Sequence, residues 1–182
     1  MLRVNTRGPG GAVIIIGLGA NRPGGLGPPR ETIAASLDVL AREAGDIVAR
    51  SHFYRSVPVP ASDQPWFINA VASIKTSLSP EELLALLHRI EARFGRERRI
   101  RNEARVLDLD LIAYDERIEP KAGEGGTLTL PHPRMHERAF VLLPLTEIAP
   151  GWVHPRLGLT VERLIERLPP DQTAEQLDSR SN

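Results

Sequence analysis

Residues 105–115 read RVLDLDLIAYD, and this stretch constrains the fold more than any other part of the chain. Leu107, Leu109 and Leu111 alternate with Val106, Asp108, Asp110 and Ile112. A period of two belongs to a β-strand, not to a helix. On a strand, residues i and i+2 share a face about 6 to 7 Å apart. Asp108 and Asp110 therefore point one way while the leucines point into a core. Like charges at that spacing repel, and partial burial makes each harder to ionise. A fold that keeps this strand must bring positive charge to its acidic face.

The 182 residues suffice for one domain with a hydrophobic core of ordinary size. Lys plus Arg equals Asp plus Glu at 23 each, so no net field draws the chain to nucleic acid or to a membrane. Any electrostatic function has to come from local clusters. The absence of cysteine excludes disulfides and thiolate metal sites. No apolar run approaches a membrane span, and MLRVNTRGPGG at 1–11 lacks a signal-peptide core. The expectation is a flexible leader on a cytoplasmic protein.

AVIIIGLGA at 12–20 is a continuous, largely β-branched run that fits a buried central strand, and NRPGGLGPP at 21–29 can only be loop. Ile33, Leu37, Leu40 and Ala44 recur at helical spacing before Gly45, predicting a helix over 30–44. IVARSHFYRS at 47–56 and WFINAVASIKT at 66–76 read as strands, separated by the proline-rich VPVPASDQP. The next helix is strongly signalled. Ser79 is an N-cap, Pro80 takes the first helical position, Glu82 completes a capping box, and Leu83, Leu86, Leu87, Ile90 and Phe94 form one stripe. The arginine-rich GRERRIRNEAR follows, then the aspartate strand. TLTLP predicts a short strand, HERAFVLLPLTEIAP a helix interrupted at Pro144, and TVERLIERL a last helix. The order strand, helix, strand, strand, helix, strand is that of an α+β, ferredoxin-like fold (split βαβ, βαββαβ), with an antiparallel sheet and helices packed on one face. The expected domain spans 12–168, followed by a polar, frayed tail at 169–182.

The candidate chemistry gathers around the aspartates. Asp108 and Asp110 suit either of two arrangements: a ligand pair for Mg²⁺ shared with substrate phosphates, or a polar face on which each acid meets an arginine. Arg96, Arg98, Arg99, Arg101 and Arg105 lie just upstream in a segment without helical or strand period. Guanidinium forks match phosphate oxygens two at a time, so a polyphosphate substrate is one reading and a solvated or RNA-contacting loop another. His132 and His136 are four apart, but Pro131 and Pro133 argue against one helix and hence against a zinc pair. The glycines of GLGANRPGGLG do not make the dinucleotide spacing and read as a tight turn beside a substrate. Phe67 and Asn69 share the strand face opposite Trp66, Ile68, Ala70, Ala72 and Ile74, which read as the core set. A ring and an amide side by side suit stacking and hydrogen bonding of a flat heterocycle, or equally a half-buried strand end.

Taken together, GLGANRPG, DQPWFINAV, RIEARFGRER, RVLDLDLIAYD and LPHPRMHERAFVLLPLTEIAP resemble the hydroxymethyldihydropterin pyrophosphokinases of folate biosynthesis over roughly residues 12 to 155. The resemblance implies transfer of diphosphate from ATP to the pterin hydroxymethyl group, with release of AMP. It implies two Mg²⁺ ions on Asp108 and Asp110, and phosphate contacts from the loop Arg96 to Arg105, chiefly Arg98 and Arg105. His132 and Arg138 match nucleotide contacts. Leu111 and Glu91 fall among the same positions, Glu91 without an assigned role. Phe67 and Phe140 match aromatic walls around the pterin, Asn69 the amide that reads its edge, and Ser56, Val57 and Val59 the loop pairing with its other polar atoms. ATP and the pterin are then the partners, with no nucleic acid and no membrane, and the chain is a monomer or weak dimer. Where some members carry tryptophan in the arginine loop, this chain has Arg101-Asn102-Glu103-Ala104. The rivals are a two-metal phosphohydrolase acting on nucleotides and a ferredoxin-like RNA-binding module.

Overall fold

The structure, a computed structural model, describes residues 13–96, 104–120 and 128–178. The leader at 1–11 lies outside the described residues, as do Arg98, Arg99 and Arg101. The elements are β1 (Ile14–Ala20), α1 (Pro29–Glu43), β2 (Asp46–Arg50), β3 (Tyr54–Ser56), β4 (Phe67–Lys75), α2 (Pro80–Arg93) and β5 (Asp108–Tyr114). A 3₁₀ turn (Met135–Glu137), α3 (Ala139–Ile148), α4 (Val161–Ile165) and β6 (Ala174–Gln176) follow. The sheet runs β5-β1-β4-β3-β6, with β2 also pairing β4, and every pairing is antiparallel. This is the ferredoxin-like arrangement, with the aspartate strand β5 at one edge.

Local sequence accounts for α2. The Ser79 hydroxyl accepts the Glu82 N–H, and the Glu82 carboxylate accepts the Ser79 N–H at 2.7 Å, closing the capping box. Leu83, Leu86, Leu87 and Ile90 of this helix join Ile33, Leu37 and Leu40 of α1 beneath Ile16, Leu18, Ala72, Leu109 and Leu111 of the sheet. Burying such a side chain contributes about 2 kcal/mol.

The other sheet face is not open. Ile15, Val71, Ile112 and Ala113 form a second core with Val141, Leu142 and Leu145 of α3 and Val161 and Leu164 of α4. The expected one-sided layer of helices thus becomes two-sided, because β1 is apolar on both faces and each needs a cover. Leu111 pairs with Ile16 and Ala113 with Ile15, so Ile112 is an extra residue at a bulge.

Other local expectations are corrected. Residues 47–56 are two strands, because the Ser51 hydroxyl takes the Val71 N–H at 3.0 Å and interrupts the ladder. Trp66 is 46 % exposed and precedes β4; its ring lies beneath the Arg55 guanidinium at 5.1 Å instead of in the core. Leu128–Pro131 is irregular. Pro144 lies inside α3 without ending it: the proline gives up one backbone donor but is buried with Val141, Leu142 and Leu145. Residues 174–176, expected to fray, pair with β3 as β6.

Candidate active site

A cleft opens on the α3 side of the sheet, over one end of β1, β4 and β5. Its floor is bare strand. Gly17 lies in register with Asp110 and Gly19 with Asp108. A Cβ on Gly17 would come 3.1 Å from the Ile112 Cδ1, and one on Gly19 3.3 Å from the Asn69 Oδ1. These two glycines sit within β1 as cleft floor, inside the strand expected over 12–20, so the turn also read from GLGANRPGGLG begins only after them. Ser56 to Pro60 with Phe67 and Asn69 line one wall, and Arg105, Asp108 and Asp110 the opposite one. Arg134, Arg138 and Phe140, at the start of α3 and just before it, close a third side.

The two acids are neutralised unequally. Asp108 meets Arg96 Nη1 at 2.6 Å and also pairs with Arg105. Asp110 has a looser partner, Arg138 Nη1 at 3.8 Å. Burial, and next the neighbouring Asp108 charge, push the Asp110 carboxyl up to about 6 from the ordinary 3.8, although Arg138 pulls the other way. Of the two arrangements left open by the sequence, the arginine-matched one holds closely for Asp108 and only loosely for Asp110. Asp108 is matched to arginines, whereas Asp110 keeps an undercompensated charge and 39 % of its side-chain surface open. Two carboxylates on one face, one of them short of positive charge, form a donor set that fits Mg²⁺.

On the opposite wall, the Asn69 amide is buried and donates to the Ser56 hydroxyl at 2.9 Å, which locks its orientation. Phe67 is half-buried one step along the same face. The Arg138 guanidinium lies 5.4 Å from the Phe140 ring, so one residue touches both the aromatic and the acidic ends of the cleft.

Other expected residues are placed less directly. His132 does not line the cleft. Its Nδ1 accepts the Arg134 N–H at 3.2 Å, and burial with Arg138 and Arg134 nearby lowers it to about 4. It is therefore a neutral imidazole with its proton on Nε2, which makes that nitrogen a donor. The Leu111 side chain belongs to the first core, across the strand from the acids, leaving only its main chain near them.

Glu91 acquires a structural role. It is 1 % exposed, pairs with Arg96, and accepts the Leu109 N–H at 2.8 Å. One carboxylate thereby ties the end of α2 to β5 and to the arginine that reaches Asp108. Glu91→Ala, which takes one of two carboxylates from the half-buried Arg96 guanidinium and leaves the buried Leu109 amide without its acceptor, is expected to lower unfolding free energy by about 2 kcal/mol in urea titration. A loss below 1 kcal/mol would mean that water takes over those bonds.

Asn21 is the residue the sequence reading missed. It is 2 % exposed, its Oδ1 accepts the Arg105 N–H at 2.7 Å, and its Nδ2 donates to Gln64 Oε1 and Pro65 O at 3.2 and 3.1 Å. Its N–H and that of Arg22 reach Arg105 O. The signal was an amide directly after a buried strand, in a loop otherwise read only for its glycines and prolines.

The chain matches, over residues 15–150, the family described as 7,8-dihydro-6-hydroxymethylpterin-pyrophosphokinase (HPPK). It is 44 % identical to the 2-amino-4-hydroxy-6-hydroxymethyldihydropteridine pyrophosphokinase of Synechocystis over 155 residues, 85 % of this chain and 75 % of that one. The Haemophilus influenzae protein of the same name is 41 % identical over 148 residues, 81 % of this chain and 88 % of that one. Among solved structures, wild-type HPPK-DHPS of Plasmodium falciparum shares the fold at a TM-score of 0.66 and 13 % identity; the match covers 86 % of this chain but only 41 % of that longer one. With most of its length matched and a floor, an acidic wall and an amide wall assembled in one cleft, this chain belongs to the HPPK family.

Proposed function

We propose that this chain transfers diphosphate from ATP to 6-hydroxymethyl-7,8-dihydropterin, giving the pterin diphosphate and AMP, and that the cleft is where it does so. The family's reaction is this pyrophosphokinase step of folate biosynthesis. One observation carries the siting: a single cleft has an arginine-flanked carboxylate pair at one end and a locked amide with aromatic rings at the other.

At the acidic end, Asp108 and Asp110 would hold Mg²⁺, as two ions, which supply charge neutralisation of the phosphate oxygens. Arg105 and Arg96 would grip the polyphosphate, with Arg98 from the same loop, and Arg138 would bridge nucleotide and pterin. His132, which stands beside the cleft and does not line it, would meet the nucleotide there with Nε2 as its donor. At the other end, Asn69 and the main chain of Ser56, Val57 and Val59 would read the edges of the pterin between Phe67 and Phe140. Donors held in place by buried bonds need little rearrangement when charge develops on the transferring group, and that is the main source of rate in such chemistry. The catalytic unit is taken as 12–168 with β6 added at its sheet edge, acting in the cytoplasm as a monomer or weak dimer. Among the described residues no helix is long and apolar enough to cross a membrane. Against an RNA-binding module stands the cover of α3 and α4 over the sheet face such modules leave open.

The test is AMP formation from ATP with and without the pterin alcohol. AMP is expected only with both substrates and magnesium, and chelation should remove at least about 99 % of it. Release of phosphate without pterin would replace this reading with a phosphohydrolase.

A further inference from the structure

β3 ends where the Ser56 to Pro60 wall begins, so whatever holds β3 also holds that wall. A strand of three residues has little hold of its own. At its start, the Tyr54 hydroxyl donates to Glu147 of α3. One edge pairs with β4 from Tyr54↔Asn69 to Ser56↔Phe67. The other edge is covered by β6, with Tyr54↔Gln176, Arg55↔Glu175 and Ser56↔Ala174, and the Leu177 N–H donates to Phe53 O at 2.8 Å. Arg55 links the two sides: Nη2 meets Glu175 Oε2 at 2.6 Å, while the guanidinium lies over Trp66, which precedes Phe67. The family match spans residues 15–150, and β6 lies beyond it.

We propose that β6 is a positioning strand for the heterocycle end of the cleft. It keeps β3 and the 56–60 wall in register with Phe67 and Asn69, and so sets the affinity for the flat substrate, leaving the phosphate end unaffected. The physical basis is preorganisation: a three-residue strand with a free edge exchanges its ladder bonds with water, and substrate must then order it on binding. This inference rests on the reading of Ser56, Phe67 and Asn69 as contacts to the pterin.

The experiment measures steady-state AMP formation in the full enzyme, in a chain stopped after Gln172, and in Leu177→Pro, which removes the donor to Phe53 O; Leu177→Ala keeps that donor. Each substrate is varied with the other saturating. The stopped chain and Leu177→Pro are expected to raise KM for the pterin about tenfold, equivalent to about 1.4 kcal/mol, with KM for ATP within twofold and Leu177→Ala near the parent. A loss confined to kcat, or an equal rise in both KM values, would make β6 a structural strap and overturn the proposal. If the stopped chain does not fold, Leu177→Pro decides alone. Phe67→Ala in the full chain separates the two failures. If it leaves the pterin KM unchanged, the siting of the pterin falls and this inference with it. If it raises that KM while Leu177→Pro does not, only the inference falls.

Discussion

Asp110→Asn is expected to abolish diphosphoryl transfer and, in the same molecule, to make the magnesium-free protein harder to unfold. The first effect follows from the donor set: the amide cannot supply the charge that a divalent cation needs, and several kcal/mol of lost stabilisation correspond to about a 10³-fold fall in kcat/KM. The second follows from the strain of keeping Asp110 ionised, since its carboxyl is pushed up to about 6 by burial and by Asp108. Below about pH 4 the acid is protonated both folded and unfolded, and costs nothing. As pH rises toward 6 the unfolded chain ionises freely while the folded one resists, so stability falls across that window. The side chain is 39 % exposed, so screening reduces the penalty at pH 7 to about 1 kcal/mol, or about 2 to 4 °C in melting temperature. Melting curves with and without magnesium should therefore cross. The variant melts higher without the ion, and only the parent gains when it is added. In the parent, kcat/KM for ATP should drop as pH falls below about 6, as Asp110 takes a proton. A variant that melts lower than the parent in chelator would contradict the undercompensated charge.

Arg105→Ala should lower kcat about 10²-fold while the pterin dissociation constant stays within about threefold. The guanidinium lines the cleft and pairs with Asp108, whereas the residue's main chain is held independently by Asn21. Truncation therefore removes a charge without releasing the segment. Arg105→Lys should recover only part of the loss, because an ammonium cannot present two parallel donors to phosphate. Rapid-quench turnover and equilibrium pterin binding read the two quantities separately. Lost pterin binding with preserved kcat would remove Arg105 from the phosphate end.

These expectations draw on residues of differing legibility. The acidic face of β5 was readable because a period-two pattern assigns faces without any knowledge of neighbours. The capping box of α2 was readable because all its partners lie within four residues. Trp66 was misassigned because alternation extended one step too far; the strand begins at Phe67, and an arginine from another strand gives the ring a place outside the core. The break at Ser51 depended on a hydroxyl meeting a backbone amide twenty residues away. For Glu91 and Asn21 the local pattern could not name a partner, since the bonds that make them matter join segments 18 and 84 residues apart.

The sequence alone determined the succession β1, α1, β4, α2, β5, the side of β5 on which the acids stand, and the family. Each is written in short-range periodicity, capping chemistry or ordered motifs. Tertiary structure alone decided that a second helical layer covers the sheet, that β6 closes the edge of β3, and that Asp108 is satisfied by arginines while Asp110 is not. Those outcomes depend on which distant groups share a low-dielectric space, and Coulomb and desolvation energies are set by that distance and burial, not by position along the chain.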